Sequence, residues 1–96
     1  MDDEIKKLKP KIVEILKKHN VSKAGIFGSF ARGETTRNSD IDILIEVKGR
    51  SFSLIDLIRL EMELKKALKR KVDLLTYKGI SPYLRNQILK EEVRIV

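Results

Sequence analysis

Cysteine is absent from this sequence of 96 residues, which excludes disulfide bonds and thiolate metal sites. Tryptophan is also absent and aromatic residues make up only 5%, so no aromatic-basic cluster of the kind that stacks single-stranded bases is present. No apolar run approaches the length of a membrane span, and the acidic residues 2–4 precede no signal-peptide core. We therefore expect a cytoplasmic protein with no membrane association and no direct nucleic-acid binding.

Basic residues are in excess, with 21 Lys and Arg against 14 Asp and Glu, a net charge of +7 and a pI near 9.8. This balance favours an anionic partner such as a polyanionic small ligand, although a solvated lysine-rich surface explains it equally well. The apolar share of 42% suffices for one domain over residues 1–96 with one modest core.

The periodicity of apolar residues predicts an α/β (α+β) fold, a small mixed β-sheet covered by helices. Helical spacing occurs in segments 3–19, 53–70 and 82–91, and short apolar runs indicate strands at 21–27, 40–47 and 72–77. The last four residues, 93–96, are predicted to be either a short strand or a docked tail.

Several residues carry finer expectations about these elements. Pro10 interrupts the first helix and predicts a kink or a fresh start, and His19 at its end is interpreted as a surface charge partner. Leu84 is expected to face inward on the last helix. In the long helix, three residues are expected to widen the buried stripe: Leu54, Ile58 and Met62.

A Gly-Ser pair follows the first predicted strand. Gly28 permits a sharp turn, and Ser29 is predicted to cap a short helical segment that Gly33 ends. Free backbone N–H groups at a helix start attract phosphate, which makes this pair a candidate phosphate site. Taken alone, the pair is better explained as an ordinary capped turn, and the aspartates that follow it favour the phosphate site.

Two aspartates open the second predicted strand. Side chains at i and i+2 of a strand share one face, so Asp40 and Asp42 are expected to stand side by side. Adjacent carboxylates repel each other unless a cation lies between them, and Mg²⁺ prefers oxygen ligands of this kind. The alternative is that Asp40 only ends the loop and Asp42 only marks an exposed strand face.

The stretch GSFARGETTRNSDIDILIEV, residues 28–47, resembles the signature of the DNA polymerase beta-like nucleotidyltransferase superfamily. It is most similar to the minimal nucleotidyltransferase (MNT) domains, and the resemblance covers nearly the whole chain. The residues that match this version of the motif are Gly28, Ser29, Ala31, Arg32, Gly33, Ser39, Asp40, Ile41 and Asp42. The resemblance implies a palm-like nucleotidyltransferase fold.

The resemblance also implies roles for the matched residues. Gly28 and Ser29 would contact the distal phosphates of ATP, with Arg32 and Ser39 as further nucleotide-binding residues. Asp73, on the third predicted strand, would complete a catalytic and metal-binding set that holds two Mg²⁺ ions: Asp40, Asp42 and Asp73. Salt bridging to nearby basic residues is the alternative for Asp73. Arg37 lies outside the motif and is interpreted as a solvated loop residue.

Antitoxins of the MNT type are paired with HEPN ribonuclease toxins, and the resemblance implies AMP transfer from ATP to a tyrosine hydroxyl of such a toxin. Because 96 residues provide little beyond a catalytic sheet and its helices, we expect the acceptor site to need a homo- or hetero-oligomer. Two alternatives stay open, neutralisation by binding alone and transfer to RNA or a small molecule. Three residues are candidates for stacking on the base: Phe30, Tyr77 and Tyr83.

Overall fold

The computed structural model describes residues 3–34, 39–48 and 52–96, with side chains from Ile5 onwards. The predicted loop at 35–38, including Arg37, and the predicted turn at 49–51 lie outside the described residues. Within the described residues, no helix is both long enough and apolar enough to cross a bilayer.

Helices and strands alternate along the described chain. The elements are α1 (Asp3–Lys18), β1 (Val21–Phe27), α2 (Ser29–Arg32), β2 (Ile41–Val47), α3 (Leu54–Leu68), β3 (Val72–Thr76), a 3-10 turn (Tyr77–Gly79), α4 (Pro82–Glu91) and β4 (Val93–Arg94). The strands form one sheet in the order β3-β2-β1-β4.

Both parallel and antiparallel pairs occur in this sheet. Strand β1 pairs antiparallel with β2 and with β4, and β2 pairs parallel with β3. The prediction of a mixed sheet covered by helices is therefore confirmed. Of the two alternatives for the last residues, the strand is observed, because Val93 and Arg94 pair with Ile26 and Gly25.

The sheet has two differently covered faces. One face packs against α1 and α3 through the larger apolar cluster, which includes Ile41, Ile43 and Ile45. The other face carries a smaller cluster of Phe27, Leu44, Tyr77 and Ile80, against which Ile88 and Leu89 of α4 pack. Since strand side chains alternate, Asp42 lies on the α4 face, between Ile41 and Ile43 in sequence.

Helix α1 runs without a break from Asp3 to Lys18, so the fresh start predicted at Pro10 is wrong. Pro10 lies on the exposed side of the helix, where water can solvate the carbonyl that lacks its N–H partner. The helix is followed by Asn20, whose φ of 62° is the left-handed conformation typical of a C-terminal cap.

Helix α3 begins with a capping box, in which the Ser53 hydroxyl accepts from the Asp56 N–H and the Asp56 carboxylate accepts from the Ser53 N–H. Its buried column is Leu60, Leu64 and Leu68. The prediction that Leu54, Ile58 and Met62 widen this buried stripe is wrong, because they are 72%, 47% and 62% exposed. Leu54 and Leu60 are six positions apart, which corresponds to a rotation of about 600° around the helix axis. The exposed column that begins at Leu54 therefore lies roughly 120° from the buried column that begins at Leu60.

Helix α4 starts at Pro82 as predicted, but the Ser81 side chain makes no capping hydrogen bond. The prediction that Leu84 faces inward is also wrong, since its side chain is 52% exposed. Leu84 lies in the first turn of α4, whereas Ile88, one turn further on, packs against the smaller cluster.

The two columns of α3 differ in their expected contribution to stability. Leu64 is fully buried, so Leu64→Ala is expected to lower the free energy of unfolding by about 3 kcal/mol through lost burial and a residual cavity. Met62→Ala on the exposed column is expected to change it by less than about 0.5 kcal/mol. Urea unfolding of both variants measures the difference, and equal losses would contradict the placement of these columns.

Candidate functional site

The turn after β1 is made by Gly28, whose φ of 74° and ψ of −149° are open to glycine and strained for other residues. Gly28 occupies the N-cap position of α2, and Ser29 is the first helical residue. The prediction that Ser29 caps this helix is therefore wrong, and the reason is that Gly28 already completes the turn. Gly33 ends α2 in the left-handed conformation, as predicted.

Two of the three predicted carboxylates lie side by side across β2 and β3. Asp42 is the register partner of Asp73 in this parallel pair, and both side chains belong to the α4 face of the sheet. Asp40 lies one residue before β2, which begins at Ile41, so the predicted strand start is one residue too early. The long-range pairing brings Asp73 to the motif, as the resemblance implied.

The negative charges of these aspartates act on one another. Burial of the Asp42 carboxyl, followed by the charges of Asp73 and Asp40, raises its pKa to about 6, while Arg32 opposes the rise. Asp42 is only half-buried, so water screens part of this repulsion. The α4 face of the sheet therefore holds a concentration of negative charge that a cation would neutralise.

Gly28 lies directly against this carboxylate. A Cβ atom added to Gly28 would overlap Oδ2 of Asp42, and the contact is so close that the side chain would have to move. The absence of a side chain at residue 28 thus has two reasons, the positive φ of the turn and the space that the Asp42 carboxylate occupies.

Arg32 approaches the acidic residues from the end of α2. Its Nε donates to Glu34 at 2.9 Å and its Nη1 donates to Glu91 of α4 at 3.0 Å. Glu91 was missed by reasoning from the sequence, because it lies 59 positions away and no motif marks it. The two carboxylates hold the guanidinium beside the site, where its charge lowers the pKa of Asp42.

The other candidate residues are placed as follows. Ser39 is half-buried and directly precedes Asp40. Two of the three candidates for base stacking are wrong, because Phe30 is fully buried and Tyr77 is 6% exposed with its hydroxyl donating to Glu92. Tyr83, which is 95% exposed, keeps a surface on which a base can stack.

The lone histidine has the structural role that the sequence predicted. The His19 Nε2 atom lies 2.9 Å from Oε1 of Glu63, which links the end of α1 to α3. Lys18 adds a longer contact to the same carboxylate at 3.7 Å. His19 therefore contacts a carboxylate that joins two helices, and it is not one of the residues around Asp42.

Whether the carboxylates suit a metal ion is tested by their arrangement and charge. Among residues 5–34, 39–48 and 52–96, no three side chains of His, Cys, Asp or Glu converge closely enough to bind one ion. Asp42 nevertheless lies close enough to Asp73 and Asp40 for their charges to add to the effect of burial in raising its pKa. Oxygen donors with surplus negative charge fit a hard divalent cation such as Mg²⁺.

Comparison with known proteins gives the class to which this fold and motif belong. The family model described as Polymerase beta, Nucleotidyltransferase matches residues 10–96. A protein of Methanocaldococcus jannaschii, MJ0435, provisionally named a protein adenylyltransferase, is 50% identical over 92 residues, which are 96% of this chain and 98% of that protein. Protein adenylyltransferase MntA of Thermococcus cleftensis is 33% identical over 82 residues, which are 85% of this chain and 82% of that protein.

A solved structure of a toxin–antitoxin with AMP-PNP has the same fold, with a TM-score of 0.82 and 28% identity over 92% of this chain and 72% of that one. The chain belongs to the polymerase beta nucleotidyltransferase family, as its resemblance to the minimal members predicted. It is therefore a nucleotidyltransferase, with the palm-like mixed sheet of that class.

Proposed function

We propose that this nucleotidyltransferase transfers AMP from ATP to a tyrosine hydroxyl of a partner HEPN ribonuclease toxin and acts as its antitoxin. The observation that carries the proposal is the pairing of Asp42 with Asp73 directly beside the Gly28 turn. Anionic side chains beside a glycine turn that begins a helix suit a triphosphate bound together with a cation.

The names of similar proteins support the choice of donor and acceptor. MntA of T. cleftensis is a protein adenylyltransferase, and MJ0435 of M. jannaschii is provisionally named one. The toxin–antitoxin structure with this fold was solved with AMP-PNP, an ATP analogue. These findings favour ATP as the nucleotide and a protein as the acceptor.

The proposed reaction forms one bond and breaks one. The tyrosine oxygen attacks the α-phosphorus of ATP, the bond from the α-phosphorus to the oxygen bridging to the β-phosphate breaks, and pyrophosphate leaves. The hydroxyl proton passes to solvent. Gly28 and Ser29 would hold the distal phosphates through their backbone N–H groups, with Arg32 and Ser39 as further nucleotide contacts.

Asp40, Asp42 and Asp73 would hold the two Mg²⁺ ions that the resemblance implies. Bound Mg²⁺ would lower the pKa of the acceptor hydroxyl and stabilise the charge that develops at the α-phosphate. The chain's own contribution would be to supply the carboxylate oxygens, with Asp42 and Asp73 on paired strands and Asp40 directly before β2.

A label-transfer assay tests the proposal. The chain is purified with the protein that co-purifies with it and is given Mg²⁺ and ATP labelled at either the α- or the γ-phosphate. We expect the α-label to appear on the partner and the γ-label to remain in pyrophosphate. Mass spectrometry of the partner is expected to find AMP on a tyrosine.

Other outcomes assign other functions. A γ-label on the partner would indicate phosphorylation and would contradict AMP transfer. A label in material that ribonuclease removes would make RNA the acceptor. An intact, neutralised complex that carries no label, although ATP binds, would favour neutralisation by binding alone.

A further inference from the structure

The outward face of α3 carries four large apolar side chains that are exposed to solvent. Leu54, Ile55, Ile58 and Met62 are 72%, 61%, 47% and 62% exposed. None of the four belongs to either apolar cluster of the described residues. Soluble monomers rarely leave adjoining aliphatic side chains in water without a binding role, so this face requires an explanation.

The spacing along this face matches that of a helix that pairs with another helix. Ile55, Ile58 and Met62 are followed by Lys65, which gives steps of three, four and three residues within α3. Steps of this kind form one continuous seam on a helix, as the a and d positions of a coiled coil do. We call these four residues the α3 seam.

The charge along the α3 seam is one-sided. It ends with Lys65, Lys66 lies beside it, and Lys69 follows as the C-cap of α3, and all three are exposed. Among the described residues, the ion pair of Lys65 is a long contact of 3.9 Å to Glu61. The other nearby acids are engaged elsewhere, Glu63 with His19 and Asp56 in the capping box.

The α3 seam is separate from the proposed transfer site. Helix α3 packs its buried column on the face of the sheet that Ile41 and Ile43 occupy, and the seam points away from that face. Asp42 and Asp73 belong to the opposite face. A molecule docked on the seam therefore leaves the acidic site uncovered.

We propose that the α3 seam docks an amphipathic helix of a protein partner, with aliphatic side chains against Ile55, Ile58 and Met62 and carboxylates against the lysines. The docking proposal rests on the proposed function in one respect, which is that the proposed function includes a protein partner. The seam anchors the partner, and the opposite face of the sheet performs the transfer.

Two other occupants fit the observations less well. A parallel second copy would set lysine against lysine. An antiparallel copy would bring each basic turn to the start of the other α3, where the Asp56 carboxylate is already engaged in the capping box. Membrane-binding helices carry basic residues along both edges and aromatic residues on the apolar face. Here the lysines lie at one end, the exposed Arg59 lies beside the middle of the seam, and no aromatic side chain belongs to the seam.

The test uses two designed helical peptides and methyl NMR of the whole chain. Both peptides carry aliphatic residues at the a and d positions of two heptads, followed by a heptad with Glu in one peptide and Lys in the other. At about 50 mM salt, we expect the Glu peptide to bind about tenfold more tightly, and the difference to shrink at about 500 mM. Methyl shifts are expected at Ile55, Ile58 and Met62.

Ile58→Lys is the matched variant, since Ile58 is exposed and its replacement leaves the core intact. It is expected to lose at least tenfold in affinity for the Glu peptide with an unchanged melting temperature. Equal affinity for both peptides, or shifts away from α3, would overturn the proposal. So would dimerisation of the free chain through the same methyl groups, or flotation with phosphatidylserine vesicles. The peptide assay needs no ATP, so its result does not depend on the transfer assay.

Discussion

Replacing Asp42 with asparagine is expected to stop AMP transfer and, in the absence of metal, to make the protein more stable. Transfer is expected to fall roughly a thousandfold, which corresponds to about 4 kcal/mol of lost transition-state stabilisation. The gain in stability follows because burial and the charges of Asp73 and Asp40 disfavour the ionised Asp42 carboxyl. Asparagine has nearly the same shape and no charge to desolvate.

The stability gain depends on pH in a defined direction. The pKa of Asp42 is raised in the folded state to about 6 from 3.8, so the folded protein binds the proton more tightly than the unfolded chain. Below pH 4 the carboxyl is protonated in both states and costs nothing. As the pH rises from 4 to 6, the free energy of unfolding of the wild type falls progressively below that of Asp42→Asn. This difference in stability reaches its full size above pH 6.

Thermal unfolding with EDTA measures this difference. The shift in pKa would correspond to about 3 kcal/mol if unscreened, and because Asp42 is half-buried we expect about 1 kcal/mol, or roughly 5 °C in melting temperature at pH 7.5. Added Mg²⁺ is expected to raise the melting temperature of the wild type and not that of Asp42→Asn. Glu14→Gln, on an exposed position of α1, is the control and should change neither value.

A lower melting temperature for Asp42→Asn at pH 7.5 would show that the carboxylate is stabilised in the folded state and would sink the electrostatic interpretation. Transfer that survives the substitution would separate Asp42 from the chemistry. The two results are independent, because the first is measured without nucleotide and metal and the second with both.

Gly28→Ala is expected to reduce transfer about a hundredfold. The added Cβ would overlap Oδ2 of Asp42 and displace the carboxylate from its register partner Asp73. Displacement of a reacting group by even about 1 Å costs an enzyme rate on this scale. Alanine at a φ of 74° and ψ of −149° also adds roughly 1–3 kcal/mol of backbone strain.

Gly33→Ala is the matched control for this substitution. Gly33 has nearly the same φ, 73°, but beyond its chain neighbours no atom of the described residues lies within 4 Å of an added Cβ. It should therefore lose about 1 kcal/mol of stability through strain and keep transfer within about threefold of the wild type. Initial rates and thermal melts of both variants separate the two effects. Comparable rate losses would mean that the geometry of the α2 turn matters, and not the contact with Asp42.

The placement of Asp73 shows what local sequence patterns can predict and what they cannot. Short apolar runs predicted β2 and β3 as strands, and the motif marked Asp42 within one of them. Spacing alone left open whether β3 lies beside β2, because strand pairing depends on packing over the whole chain. The resemblance supplied Asp73, and the parallel register confirmed it as the neighbour of Asp42.

The errors on the helices have one common origin. Leu54, Ile58, Met62 and Leu84 are apolar and follow helical spacing, so periodicity alone counts them as core. The sheet covers only one side of α3, and this leaves the column that begins at Leu54 outside. Phe30 and Tyr77 show the converse error, because they were candidates for stacking on a base and both are buried.

The sequence by itself determined the fold class, the family and the residues of the motif, because alternation, helical spacing and the Gly-Ser to Asp-x-Asp pattern are local properties. Only the tertiary structure decided what surrounds each of these residues. It placed Gly28 against Asp42, Glu91 against Arg32 and the α3 seam in solvent. Periodicity predicts which face of an element is buried, but it does not specify which distant segment packs against that face.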